Sequence, residues 1–414
     1  MRKGGVLASI DVGTTKVCTV VGEVLPEQPL RILGVGIAAA NGLNRGMVEN
    51  LRDASESIRT SIDQAERSSG TRILSAHVGV TGPHLSCTNN RGIVAIPDRE
   101  RPISQDDVNR ALDGSRIVSI PTNREIIHSV ARYFIVDGQE HVTDPVGMFG
   151  QRLDVETHII TGLSTMLQNA TKCVESAGVQ VESLIATPLA SAESVLEAEE
   201  KRQGVVLVDM GGGTTDVAVF VEGSILHTAS LPVGGNHITR DLVVGLRCPY
   251  QAASDAKEIY AHALPSAIDA DETIDLQVFG AEEQRSVQRR RIAEIVQARV
   301  EETFEMVMRE VRRAVHDDIL SAGLVLGGGT ANLAGIAQLA EQVTGLPARV
   351  GVPRNIQGLV DTLCDPAYAG SVGLLQWTVK ELEVGAWRTH QRPPLIGGDL
   401  WARLSRWVRV LLPE

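Results

Sequence analysis

Ala8-Ser9-Ile10-Asp11-Val12-Gly13-Thr14-Thr15-Lys16, near the start of the chain, and Val205-Val206-Leu207-Val208-Asp209-Met210-Gly211-Gly212-Gly213-Thr214-Thr215-Asp216, in its middle, look like copies of one pattern. In each, a short apolar run ends in Asp, turns through Gly-Thr and returns in a β-rich run, residues 17–21 and 217–221. A third β-like run follows in both halves, residues 30–35 and 224–229. Each copy reads as a strand, a tight turn and a returning strand. A duplicated Asp-Gly-Thr hairpin predicts two related domains facing one ligand. Glycines let backbone approach closely, and consecutive N–H groups with Thr hydroxyls can cradle phosphate oxygens. Asp11 and Asp209 then face the phosphates from opposite sides, where Mg²⁺ offsets their repulsion, holding the metal through water.

A third element completes the pattern. Leu324-Val325-Leu326 runs into Gly327-Gly328-Gly329-Thr330 and then a helix from Asn332. A strand, a triple glycine and a helix suit an adenosine lying against bare backbone. Between these motifs both halves continue as α/β units. In the first half a helix is predicted at residues 47–66, with Val48, Leu51, Ile58, Ile62 and Ala65 on helical spacing, then a strand at 73–80. The alternation resumes at 165–176 and 181–186. The second half repeats it with a helix near 237–244, a strand at 324–326, a helix at 333–343 and a strand at 348–352.

Two stretches interrupt the repeat, residues 83–161 and residues 248–299. Within the first, Ser104 reads as an N-cap with Asp106 and Asp107 in the first turn of a helix reaching about residue 117. Strand-like runs flank it at 126–135 and 155–160. After residue 385 the pattern stops, and 388–398 reads as polar linker.

The chain of 414 residues is long enough for two or more domains with sizeable cores. Apolar residues make up 43% and charged residues 22%, as in soluble globular proteins. A net charge of −12 argues against general nucleic-acid binding. Cys18, Cys87, Cys173, Cys248 and Cys364 show no CxxC spacing, which fits a reducing cytoplasm and suggests no zinc site. Asp11 interrupts the apolar stretch after Arg2 and Lys3, so no signal peptide is read. No apolar run reaches about 18 residues, the length of a membrane span.

The terminal residues carry a separate signal. On a wheel of about 100° per residue, Leu400, Trp401, Leu404, Trp407, Val408, Leu411 and Leu412 share one arc. Arg403, Arg406 and Arg409 lie opposite, and Val410 is out of place. Such a helix either docks on its own core or lies in a membrane interface. The preceding linker, and two Trp on one face in a chain only 3% aromatic, favour an anionic membrane surface.

The two hairpins and the triple-glycine turn resemble the actin-like ATPase superfamily, which also holds sugar kinases and the large heat-shock chaperones. With the first-half insertion and the terminal amphipathic helix, nearly the whole chain resembles the FtsA family of bacterial actin-like cell-division proteins, through residues 10–22, 32–36, 144–147, 206–219, 327–335 and 368–375. The resemblance implies an α/β fold of two related actin-like, ribonuclease-H-like domains around a nucleotide cleft. It implies a first actin-like domain, 1A, at 1–83, 165–203 and 366–385, and an inserted subdomain, 1C, at 84–164. The second actin-like domain, 2A, would be 204–239 and 306–365, and subdomain 2B 240–305. A linker at 386–398 and a membrane helix at 399–413 would follow.

Carried over by position, Asp11, Gly13, Thr14, Thr15 and Lys16 would be the first phosphate loop, and Asp209, Gly211, Gly212, Gly213, Thr214 and Thr215 the second. Gly327, Gly328 and Gly329 would contact adenosine. Lys16 either pairs with a phosphate or is a solvated strand-edge lysine. The superfamily often places Glu three residues before a Lys to hold ribose and adenine; the candidate Lys257 has Ser254 there, with Asp255 beside it. Where actins carry Gln and chaperones Glu to position the attacking water, Thr187 or Pro188 would stand, which implies slow hydrolysis.

Family membership would bring ATP and Mg²⁺, self-assembly into filaments, and the tubulin-like protein FtsZ as partner at the cytoplasmic face of the inner membrane, at midcell. Later division proteins would bind through the inserted subdomain. Arg285, Arg289, Arg290, Arg291 and Arg299 read as one helix, which is either a solvated face interleaved with Glu294, Glu301 and Glu302 or the receptor for the acidic FtsZ tail. The alternatives fit less of the chain. A sugar kinase has a different loop at 211–213 and no reason for a terminal membrane helix. A chaperone needs a large domain after Lys380. A rod-shape or pilus-assembly actin homologue would account for the core, but a rod-shape homologue lacks the long insertion.

Overall fold

A computed structural model describes residues 5–25, 28–98, 100–280, 283–315 and 319–383. β1 (Gly5–Val12), β2 (Lys16–Val24) and β3 (Leu30–Ala39) form an antiparallel meander. The two-residue strands β4 (Leu43–Asn44) and β5 (Met47–Val48) pair next, before α1 (Leu51–Ser69). The apolar spacing put the start of this helix at residue 47. The structure starts it four residues later, because the Asn50 side chain caps it by accepting from the N–H groups of Arg52 and Asp53. Val48 reaches the same core from β5.

β6 (Ser75–Val80) runs parallel to β1, and the chain then leaves for the inserted piece. This holds β7 (Ser86–Ala95), α2 (Gln105–Ser115), β8 (Arg124–Val136), β9 (Gln139–Val142) and β10 (Arg152–Leu163) in a sheet of order β7-β10-β8-β9. Ser104 and the buried Asp107 form a capping box that starts α2 as expected. α2 covers the sheet over a core of its own, including Ile103, Val108, Phe134 and Leu153.

α3 (Ser164–Ser176) and β11 (Gln180–Ala186) continue the first lobe. α4 (Thr187–Val195) and the short α5 (Ala198–Gln203) lead to a second meander, β12 (Val205–Met210), β13 (Thr215–Val221) and β14 (Ser224–Leu231). Then come α6 (Gly235–Leu246), α7 (Tyr250–Tyr260), the hairpin β15 (Thr273–Leu276) and β16 (Arg285–Gln288), and the long α8 (Arg289–Ala314). β17 (Gly323–Gly327), α9 (Ile336–Thr344) and β18 (Ala348–Val350) close the second lobe. Finally β19 (Ile356–Gly358) joins the edge of β3, and α10 (Ala369–Glu383) packs along α4.

The duplication read in the sequence is a duplication of topology. The first sheet contains the order β3-β2-β1-β6-β11 and the second β14-β13-β12-β17-β18. In both, the first three strands are antiparallel and the last two run parallel to the first. β12 is buried at every residue, as a strand covered on both faces must be. The helix expected from Asn332 is replaced by a 3₁₀ turn, Gly329–Asn332; α9 starts at Ile336, after Gly335 adopts φ 80°.

Candidate functional site

The turns β1–β2 and β12–β13 face each other across a cavity of about 620 Å³. Each is closed by the same bond: the N–H of Gly13 donates to the Lys16 carbonyl at 3.1 Å, and that of Gly211 to the Thr214 carbonyl at 2.9 Å. This bond sets the true correspondence. Thr14 matches Gly212, Thr15 matches Gly213, Lys16 matches Thr214, and Val17 matches Thr215. The turns touch through those positions. A Cβ on Gly213 would stand 2.6 Å from Thr14 Oγ1, and one on Gly212 would run into the Thr15 side chain. Asp11, Gly13, Thr14, Thr15, Lys16, Asp209, Gly211, Gly212, Thr214, Lys257, Gly328 and Gly329 line the cavity. Gly213, Thr215 and Gly327 do not: Thr215 is fully buried, and its hydroxyl donates to Val233 O at 2.8 Å. Gly328 has φ 79°, and a Cβ there would meet Asp209 Oδ1 at 2.5 Å, so this turn requires glycine.

Three carboxylates stand at the floor. Ser371 Oγ, from α10, donates to Asp11 Oδ2 at 2.7 Å, and Ser191, from α4, donates to Asp209. Asp209 of the second lobe is thus held by a helix that follows β11 of the first, and Asp11 by α10, the last described helix. Thr81 Oγ1 lies 2.6 Å from both oxygens of Asp216. Burial pushes all three acids up: Asp11 above the ordinary range, Asp209 to about 6 and Asp216 to about 7. The hydroxyl bonds oppose the shift, while Asp11 raises Asp209, and Asp209 raises Asp216. Adding a cation would relieve this crowding.

Lys16 is not a solvated edge residue. Its Nζ sits 3.4 Å from the centroid of the Tyr368 ring, and among the described residues it makes no ion pair. Burial lowers its pKa, partly offset by the surrounding acids. An ammonium over a ring, facing a polar cavity and without a bonded carboxylate, is free to take an anion.

At the far end Lys257 lines the cavity and donates to Thr239 Oγ1 at 3.0 Å. Ser254 and Asp255 are not in the lining; the acid beside Lys257 that is in it is Glu258. Thr187 reaches the cavity, with its hydroxyl donating to Val80 O at 3.2 Å.

The five arginines divide. Arg285 lies on β16 rather than on the helix, because the chain pairs there with β15. Arg289 lines the cavity beside Glu258, donating to Tyr260 O at 2.7 Å and pairing with Glu272 at 2.8 Å. Arg290 donates to Ile268 O at 2.8 Å, and Arg291 pairs with Glu294 at 3.0 Å. Arg299 is tied to Asp241 at 2.5 Å and to Glu302. Leu400, Trp401, Arg403, Leu404, Arg406, Trp407, Val408, Arg409, Leu411 and Leu412 lie outside the described residues. No described helix is long and apolar enough to cross a membrane.

Sequence reading missed Thr81, Ser191, Asp216, Glu258, Tyr368 and Ser371. Asp216 stood inside the quoted motif, seven residues after Asp209 on a strand that returns beside it, and was findable.

Two matched lobes with this strand order and a cleft between their turns define a protein of actin-like fold. The fold is shared with solved structures: a PilM–PilN type IV pilus biogenesis complex (TM-score 0.61, 15% identity, covering 91% of this chain and 98% of that one), and MreB5 of Spiroplasma citri bound to ADP (TM-score 0.55, 13% identity, covering 92% and 99%). The family profile "Cell division protein FtsA" matches residues 206–373, and "SHS2 domain inserted in FTSA" matches residues 82–161, the inserted sheet. The cell division protein FtsA of Pseudomonas aeruginosa is 40% identical over 99% of both chains, and those of Neisseria meningitidis and Escherichia coli are 37% and 34% identical over 97% of both chains. The chain belongs to the FtsA family of actin-like cell division proteins.

Proposed function

We propose that the chain binds ATP in the cleft, assembles into filaments, and tethers FtsZ filaments to the cytoplasmic face of the inner membrane at midcell through residues 399–413. In this reading 1A, 2A and 2B, with the bounds given above, surround the nucleotide, and 1C, residues 84–164, recruits later division proteins. The observation that carries the nucleotide reading is Lys16, a half-buried ammonium facing glycine turns and lacking an ion-pair partner among the described residues. MreB5, of the same fold, has been solved with ADP and with AMPPNP.

The site also suits Mg²⁺. No three His, Cys, Asp or Glu among the described residues converge into a metal cage, so Asp11 and Asp209 would hold the ion through its water shell and the phosphates. Bound there, Mg²⁺ would neutralise phosphate charge. Asp11 and Asp209 would orient its water shell. Thr187 spends its hydroxyl on Val80 O and is no general base, so hydrolysis is slow and nucleotide mainly controls conformation and assembly.

At the membrane each Arg of the terminal helix near the surface contributes about 1 kcal/mol, and each fully buried large apolar side chain roughly 1.5–3 kcal/mol before ordering costs. One helix binds reversibly; a filament presenting many binds far more tightly. The test is co-sedimentation with anionic vesicles in Mg-ATP. Trp407→Glu, or removal of the last fifteen residues, is expected to release the protein at every protein concentration. Sedimentation of Trp407→Glu equal to that of the wild type would remove the anchor from this reading. Robust phosphotransfer to sugars would remove the rest.

A further inference from the structure

The inserted sheet rests on β14 of the second lobe. Asn89 Nδ2 donates to Leu226 O at 3.0 Å, and His158 Nε2 meets Thr228 Oγ1 at 3.1 Å. Between these contacts, Cys87 Sγ lies 3.4 Å from His227 Nδ1. The other ring nitrogen of His227 is 3.8 Å from the Glu310 carboxylate of α8, an ion-pair rather than a hydrogen-bond distance. Thiol, imidazole and carboxylate therefore stand in a row, contributed by three segments far apart in the chain. That is the arrangement of an activated nucleophile: a base in reach of the thiol and a carboxylate that favours the protonated ring.

The surroundings act in the same direction. Burial pushes the Cys87 thiol up, but the bond to His227, its charge and the Thr228 N–H and hydroxyl outweigh burial and leave it lowered. His227 is raised, first by its bond to Cys87 and further by Glu310, against burial and Arg313. The other cysteines are different. Cys18, Cys173 and Cys248 are buried, and burial pushes their thiols up, Cys18 to about 12. Cys364 is exposed, and its thiol makes no hydrogen bond among the described residues.

We propose that Cys87 is a thiol-modification site at the seam between the inserted sheet and the second lobe, taking low-molecular-weight disulfides. His227 accepts the thiol proton, and the Cys87 thiolate attacks one sulfur of the disulfide. The disulfide S–S bond breaks as the new one forms, and the departing thiolate takes a proton from solvent. Cys87 keeps the other half as a mixed disulfide. The added group must be accommodated where β7 packs on β14, so the Asn89–Leu226 and His158–Thr228 bonds part and the inserted sheet loosens from the second lobe. Nucleotide need not be bound.

The test uses the full chain and its own internal control. Under limiting iodoacetamide at pH 6.5, with each cysteine followed by peptide mass spectrometry, Cys87 is expected to label about tenfold faster than Cys364 despite its lower exposure. His227→Gln should bring the Cys87 rate below that of Cys364. Oxidised glutathione should add to the Cys87 peptide and raise amide hydrogen exchange in residues 86–95 and 224–231. Cys364 labelling first in the wild type would overturn the proposal without any variant. A mixed disulfide at Cys87 that leaves exchange at the seam unchanged would overturn the loosening.

Discussion

In the β1–β2 turn one glycine, Gly13, closes the bend, and Thr14, Thr15 and Lys16 carry side chains. In the β12–β13 turn the matching positions are Gly211, Gly212, Gly213 and Thr214. The turns meet with Thr14 against Gly213 and Thr15 against Gly212. A perfect repeat would set Thr against Thr at both contacts, and the turns could not approach. Two copies of one hairpin have thus become complementary halves, one supplying methyls, hydroxyls and an ammonium, the other the space to receive them. The glycines of the second turn answer to the protein's own first lobe as well as to any ligand.

The largest expected effect breaks that fit. Gly213→Val should cost about 3 kcal/mol, the upper end of overpacking in a closed contact. Since Thr14 Oγ1 and Cγ2 are the nearest atoms, Thr14→Ala in the same chain should recover part of the loss in a urea titration. A Gly213→Val protein as stable as wild type would mean that the turns do not meet in solution.

A smaller effect concerns the acids. Asp209→Ala should weaken Mg-ATP binding by more than tenfold, about 1.4 kcal/mol or more, with the fold intact by circular dichroism. Asp11, held by Ser371 as Asp209 is held by Ser191, should behave alike under the same substitution. Unchanged affinity by isothermal titration would remove Asp209 from the ligand site, and a large asymmetry would show that the two halves differ in chemistry as well as shape.

The repeat was legible in the sequence because hydrophobic runs and turn residues are local. Its register was not. By eye Thr14-Thr15 aligns with Thr214-Thr215, but the turn bond aligns it with Gly212-Gly213, which places Thr215 opposite Val17 in the core. Ser371 and Asp11 lie 360 residues apart, and nothing local marks either serine as a partner. Arg289 and Arg290 are adjacent in sequence, yet one lines the cavity and the other donates to Ile268 O. A charge run records composition; direction comes only from the helix and what it packs on. The start of α1 was misplaced for a related reason, since Met47 and Val48 keep the apolar spacing while forming a strand.

The smallest effect separates the third acid from the matched pair. Asp209 rests near 6 and Asp216 near 7, both above an unfolded carboxylate at about 4. A folded value above the unfolded one contributes stability that is full below the unfolded value and is lost as pH climbs through the folded value. These two groups therefore lower the stability of the free protein between pH 4 and pH 7. A bound cation favours their ionised forms, so binding releases protons and stabilises more at the upper end. Mg-ATP should raise Tm by roughly 1–3 °C more at pH 7.5 than at pH 5.5. The nucleotide's own phosphate titrates in the same range, so the informative comparison is with Asp216→Asn. That variant should still bind, because Asp11 and Asp209 remain. It should release fewer protons, read as a weaker dependence of titration heat on buffer ionisation enthalpy. If wild type and Asp216→Asn release equal numbers of protons, Asp216 keeps its proton throughout and serves only to hold Thr81 across the cleft. The third acid would then be part of the seam between the lobes and no part of the ligand site.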